Sequence, residues 1–221
     1  MTLGNGNHWD SIFAAHAVYG TTTPHALVVK FATMLMDDDQ RQVIDLGCGR
    51  GRHSLYLASK GFTVLAVDIA RSALQALKQE AEQQGLSLNI KIINANISEL
   101  DVQTRAAIAI GVLNHGSLDD AQRNLNSFVD ILLPGGIAAI TLPSSNDARA
   151  LLTLPSACGV LCVKLQTGPE KGIPHCFFSE DWLLSWTKSK NLDILSLEED
   201  ITRATPRLAH WNIIFSKAEM K

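Results

Sequence analysis

Between residue 43 and about residue 142 the chain alternates two apolar patterns. Val43-Ile44, Phe62-Thr63-Val64-Leu65-Ala66-Val67, Ala106 to Leu113 and Ile137-Ala138-Ala139-Ile140-Thr141-Leu142 are short, nearly continuous runs that read as buried strands. Leu88, Ile90 and Ile92 alternate with Asn89 and Lys91, a strand with one better-covered face. Between these runs lie stripes at helical spacing: Leu74, Leu77 and Ala81, then Leu125, Phe128, Val129 and Leu132. Ser72 can cap the first stripe and Gly85 lies just past its end; Gly61 similarly ends a helix before the second strand. Ser117-Leu118-Asp119-Asp120 resembles a capping box before the second stripe, and Leu133-Pro134-Gly135-Gly136 breaks that helix. Strands alternating with helices predict an α/β domain with a parallel sheet and crossover helices.

The regularity fades after Pro143, and residues 144–178 read as an elaborated connection on the substrate side. Ser179 then caps a helix running to Lys190, with Trp182, Leu183 and Trp186. Leu192 to Leu197 and Leu208 to Phe215 read as two closing strands, a long hairpin. Asp37-Asp38-Asp39 is a solvated turn, and residues 1–40 form an N-terminal helical lid segment.

At 221 residues, with 46% hydrophobic and 19% charged positions, the chain 1–221 suits a single domain with a sizeable core. A net charge of −3 without a basic stripe gives no case for a nucleic-acid partner. No apolar run is long enough for a membrane span, and the first residues lack the pattern of a signal peptide, so a cytoplasmic location is expected. Cys48, Cys158, Cys162 and Cys176 contain no zinc-like C-x2-C pair and read as buried apolar thiols; no metal site is expected.

The candidate chemistry centres on Asp45-Leu46-Gly47-Cys48-Gly49-Arg50-Gly51, where an apolar strand enters a turn of alternating glycines. Such a turn lets backbone approach a ligand, and free N–H groups at the following helix start favour negative ligand groups. The second strand ends at Asp68, placed to accept the hydroxyls of a ribose. The dinucleotide fingerprint fails, because Arg52 stands where its last glycine belongs. These features point to a nucleoside cofactor other than a dinucleotide.

The turn resembles motif I of the class I S-adenosylmethionine (SAM) methyltransferases, and the element order is similar to theirs along most of the chain. Pro134-Gly135-Gly136 and the closing His210-Trp211-Asn212-Ile213-Ile214 fit that pattern. Motif I through Ala58, with Trp9, Tyr19-Gly20 and Pro24 ahead of it, is loosely similar to the tellurite-resistance and thiopurine-type branches. The resemblance implies a doubly wound, Rossmann-like sheet of seven mostly parallel strands with the last strand antiparallel. It also implies SAM as cofactor, S-adenosylhomocysteine as product and a small-molecule acceptor. By the same resemblance Gly47, Cys48, Gly49 and Gly51 follow the methionyl moiety, and Asp45 orients its ammonium group. Asp68 holds the ribose, Ile69 packs on adenine, and Asn96-Ile97 stands where the family reads the adenine edge with an acidic residue. Tyr19 and Trp9 either close over the sulfonium or anchor an N-terminal helix.

His115, in Asn114-His115-Gly116 after the fourth strand, is either a general base or part of the pocket wall. His175 either reaches the pocket from the long connection or is a half-buried loop residue. The alternatives to a small-molecule methyltransferase are a non-catalytic SAM-binding module and a tellurite-type (metalloid or chalcogen) methyltransferase.

Overall fold

The computed structural model describes residues 6–15, 22–36, 41–151, 159–203 and 207–219. Its strands are β1 (Gln42–Leu46), β2 (Thr63–Asp68), β3 (Ile90–Asn94), β4 (Thr104–Ile110), β5 (Leu132–Pro143), β6 (Val160–Lys164), β7 (Pro174–Phe178), β8 (Leu192–Ile201) and β9 (Ala209–Lys217). The helices are α1 (Gly6–Ala15), α2 (Ala26–Met34), α3 (Arg52–Ser59), α4 (Arg71–Gln83), α5 (Leu118–Asp130) and α6 (Glu180–Ser189). Seven strands form one sheet in the order β3-β2-β1-β4-β5-β9-β8, and β6 pairs with β7 in a separate two-stranded sheet. Strands β1 to β5 are parallel, while β9 is inserted antiparallel between β5 and β8. This is the expected doubly wound, Rossmann-like sheet.

The continuous apolar runs have a direct cause: the central strands are buried on both faces. Ile44, Leu46, Leu65 and Val67 pack towards α5 and α6, while Val43, Val64 and Ala66 pack towards α2, α3 and α4. Within residues 1–40, α2 is a core element and not part of a lid. Its Val28 and Phe31 are fully buried, and burying such side chains contributes about 1.5–3 kcal/mol each. Among the described residues of this segment, only those of α1 line the site described below.

Helix ends follow the capping rules where the partners are local. Ser117 and Asp120 form the reciprocal box at α5, and Ser179 accepts from the Trp182 N–H at α6. At α4 the expectation fails: the N-cap is Ala70, and Ser72 lies inside the first turn. Its N–H and hydroxyl both donate to Asp10 Oδ1 of α1, each at 2.7 Å, so a tertiary carboxylate caps α4.

Three other expectations are corrected. The third strand begins at Ile90, because Leu88 sits fully exposed on a short 3-10 turn. Leu133-Pro134-Gly135-Gly136 lies within β5, where the β4–β5 register shifts between the pairs Thr104↔Leu132 and Ala106↔Ile137. The connection 144–178 contains the β6–β7 hairpin. In that hairpin Cys162 and Cys176 face each other across the strands and form a disulfide, so they are not free thiols. Cys48 is a buried thiol as expected, while Cys158, Asp37-Asp38-Asp39 and Tyr19 lie outside the described residues. Among the described residues no helix is long and apolar enough to cross a membrane.

Candidate functional site

The chain reverses its direction of winding between β1 and β4, and a crevice opens there at the carboxyl ends of the strands. A cavity of about 430 Å³ occupies it. At one end the glycine turn folds back on β2: the N–H groups of Gly47 and Cys48 both donate to Val67 O, at 2.8 and 3.1 Å. Gly47 needs φ +66°, and a Cβ there would run into the Val112 side chain from the loop after β4. Gly51, at φ +83°, opens α3 against Leu77. Only glycine meets both demands.

Gly47, Cys48 and Gly49 line the cavity, together with Asp68, Ile69, Asn96 and Ile97 from the ends of β2 and β3. Asp45 and Gly51 do not; they stand behind the turn. Asp45 is buried and accepts from the Ser54 hydroxyl at 2.6 Å, tying β1 to α3. Burial, with Asp68 nearby adding to it against the Ser54 hydrogen bond, pushes its carboxyl up to about 7. Burial also raises Asp68, opposed by the N–H groups of Ala70 and Gly49. Cys48 is held well above the usual thiol range by burial, so it is an inert wall residue. The Asn96 Oδ1 accepts from the Ser98 N–H and hydroxyl, capping a short 3-10 turn over Ile97–Glu99.

Trp9, one of the two aromatics expected near the cofactor, completes this end together with Phe13, Arg52 and His53, which carry no sequence signal. Trp9 and Phe13 wall the cavity from α1, and Arg52 and His53 project into it from the first turn of α3. Burial, followed by the Arg52 charge and His25, pushes His53 down to about 3, so its ring is neutral at working pH. Its Nε2 is buried and has no hydrogen-bond partner among the described residues, and the same holds for Asp45 Oδ1.

The opposite end joins the two sequence-predicted histidines. The Cys176 N–H donates to Asn114 O at 2.9 Å and the Gly116 N–H to Pro174 O at 2.8 Å, lacing the start of β7 to the loop after β4. His115 and His175 thereby pair as an isolated antiparallel bridge, with ring centroids 4.7 Å apart and nearly perpendicular. Glu170, from the β6–β7 loop, reaches both: its Oε2 contacts His175 Nε2 and lies 3.4 Å from His115 Nε2. Trp9 leans over His115 at 4.8 Å. His115 and Glu170 line the cavity, and His175 stands behind them. Glu170 lies in the Pro- and Gly-rich stretch Gly168-Pro169-Glu170-Lys171-Gly172, whose sequence reads as loop and carries no motif.

A glycine turn, an acidic β2 tip and a crevice at the sheet's switch point are the features expected of a nucleoside-binding α/β domain. Residues 43–136 match the family model described as a methyltransferase domain. A ubiquinone biosynthesis O-methyltransferase of Coxiella burnetii (strain Dugway 5J108-111) is 31% identical over 158 residues, which cover 71% of this chain and 65% of that relative. The chain thus spans less than two thirds of this relative's length. The 1,6-didemethyltoxoflavin-N1-methyltransferase of Burkholderia thailandensis, solved with 1,6-didemethyltoxoflavin and S-adenosylhomocysteine, superposes with TM-score 0.68 at 18% identity, covering 99% of this chain and 93% of that one. TehB from Haemophilus influenzae gives TM-score 0.67 at 20% identity, covering 90% and 64%. At such identities the likeness is one of fold. Residues 43–136 thus match a methyltransferase domain in sequence, and the sheet around them has the fold of these solved methyltransferases.

Proposed function

We propose that the protein transfers a methyl group from SAM to a small-molecule acceptor, in the cytoplasm, leaving S-adenosylhomocysteine. The observation that carries this reading is one cavity lined both by the glycine turn with Asp68 and by His115 and Glu170 of the His–Glu–His cluster. The residues present fit the cofactor. The Asp68 carboxylate has lone pairs beyond its two backbone donors, enough to accept ribose hydroxyls. The Arg52 guanidinium suits the carboxylate of an amino-acid moiety, and the unpartnered Nε2 of the neutral His53, when it bears the lone pair, suits the ammonium group. Ile69 and Ile97 supply an apolar slot for adenine. Asn96, with its oxygen engaged by Ser98, brings mainly its amide donor to the base edge.

Bound there, the cofactor supplies an electrophilic methyl group. The task left to the chain is positioning, which can contribute about 7–11 kcal/mol. Trp9 and Phe13 exclude water over the cavity, and His115 and Glu170 face the place where an acceptor would sit. The relative named as an O-methyltransferase supports an oxygen nucleophile, and the toxoflavin enzyme supports a ring nitrogen as the second class to try.

Calorimetry with SAM, followed by methyl transfer to a panel of phenols, N-heteroaromatics and tellurite, tests the proposal. Micromolar binding and turnover on one class is the expected result. Absence of SAM binding would overturn it, and binding without turnover on any acceptor would leave a SAM-binding module.

A further inference from the structure

The cluster at the acceptor end carries a second function. One ligand atom from each of His115, Glu170 and His175 lies within 4.8 Å of the others; the two histidines are buried and Glu170 is partly exposed. The backbone fixes how the rings present themselves. His115 Nδ1 lies 3.0 Å from Val112 O, and His175 Nδ1 lies 3.1 Å from Ile173 O. A carbonyl oxygen only accepts, so both Nδ1 atoms carry the proton and donate. In the neutral rings both Nε2 atoms then turn lone pairs towards the same carboxylate oxygen, Glu170 Oε2.

Three possible ligand atoms thus converge on one point beside the cavity. A single divalent ion satisfies all three atoms at once. Tetrahedral ligands about 2.1 Å from a metal stand about 3.4 Å apart, which is the His115–Glu170 separation already present, while the closer Glu170–His175 contact must open to admit an ion. The Nδ1–H bonds to backbone carbonyls are the outer contacts that usually fix a metal-binding imidazole.

We infer that His115, Glu170 and His175 bind a divalent transition-metal ion of the zinc type at the acceptor end of the cavity. Two imidazoles and one carboxylate select against Mg²⁺ and Ca²⁺, which prefer all-oxygen shells. Three protein ligands leave a coordination position open, as in catalytic metal sites. That position faces the cavity, because His115 and Glu170 line it. The metal's remaining ligand is therefore water or an oxygen or nitrogen atom of the methyl acceptor; this last assignment rests on the methyl-transfer reading, whereas metal binding does not.

The test uses the full chain, dialysed against a chelator and titrated with Zn²⁺ by calorimetry and with Co²⁺ by visible absorption. One ion per chain is expected, with Co²⁺ showing the d–d bands of a site of low coordination number. Glu170→Gln, nearly isosteric and on a loop, and His175→Ala should each weaken binding at least tenfold, given that losing outer contacts alone costs about 10–100-fold. Circular dichroism checks the fold, and Glu170→Gln keeps the test open if His175→Ala unfolds. Failure of both ions to bind, or binding unchanged in the folded variants, overturns the metal site. SAM titration of the same samples is read separately: metal bound but no SAM bound would overturn the methyl-transfer reading and leave the metal site standing.

Discussion

The Asp68 Oδ2 atom accepts the Gly49 backbone N–H at 2.8 Å, so the carboxylate at the tip of β2 both holds the glycine turn and faces the cavity. Asp68→Ala should therefore weaken SAM binding by more than tenfold, about 1.4 kcal/mol or more, through loss of the ribose partner and a looser turn. Isothermal calorimetry measures this directly. An affinity equal to wild type would remove Asp68 from the site.

His115 contacts the cavity at the end away from the nucleoside seat. His115→Ala should lower turnover by about 10²–10⁴-fold, the usual scale for losing a positioned acid–base or ligand group, while SAM affinity changes by less than about threefold. Comparing kcat with the SAM dissociation constant separates the two effects. Equal losses in both would make the residue a wall of the cofactor site.

Asp45 gives the fold a pH signature. Its carboxyl ionises near 3.8 when unfolded and is pushed up to about 7 by burial when folded. Between these values the native state holds the additional proton. The resulting stability is fully present below about pH 4 and is lost as pH rises through about 7. Asp45→Asn cannot ionise, so it should gain stability relative to wild type across that window, by up to a few kcal/mol at about 1.36 kcal/mol per unit. Urea denaturation at several pH values reads the difference, and a flat difference would show that the folded carboxyl titrates normally.

The Cys162–Cys176 bridge closes a loop with a sequence separation of 14 residues that includes Glu170 and His175. Closing a loop of this size stabilises by about 3 kcal/mol in the chain-entropy view. Reduction, or replacement of both cysteines by serine, should lower the melting temperature by several degrees and weaken whatever the His–Glu–His cluster binds. Thermal scans with and without reductant decide the matter, an unchanged Tm counting against the bridge. Disulfides are rare in reducing compartments, so in a cytoplasmic setting the hairpin would work in its dithiol form.

The main sheet was legible because its central strands are covered on both faces, which leaves unbroken runs such as Phe62 to Val67. The glycine turn and the β2 tip were legible for a related reason: Gly47 and Asp68 stand at strand ends that the pattern locates, and both line the cavity. The hairpin at 160–178 was not, because Val160-Leu161-Cys162-Val163-Lys164 and Pro174-His175-Cys176 mix polar, sulfur and proline positions without a period. Ser72 misled for another reason: the group that caps α4, Asp10, comes from a distant helix that local capping rules cannot see. Glu170 belongs with the same class of residue. Its partners His115 and His175 meet it only because backbone bonds lace β7 to the loop after β4, and no spacing in the chain records that lacing.

Asp10 and Trp9 are neighbours on α1: one completes the first turn of α4 through Ser72, the other walls the cavity above His115. Swinging α1 aside to admit a ligand would thus strip the α4 terminus of its acceptor, leaving the Ser72 donors to water. Entry by that route would couple ligand access to fraying of α4, whose first turn keeps its carboxylate acceptor only while α1 stays in place.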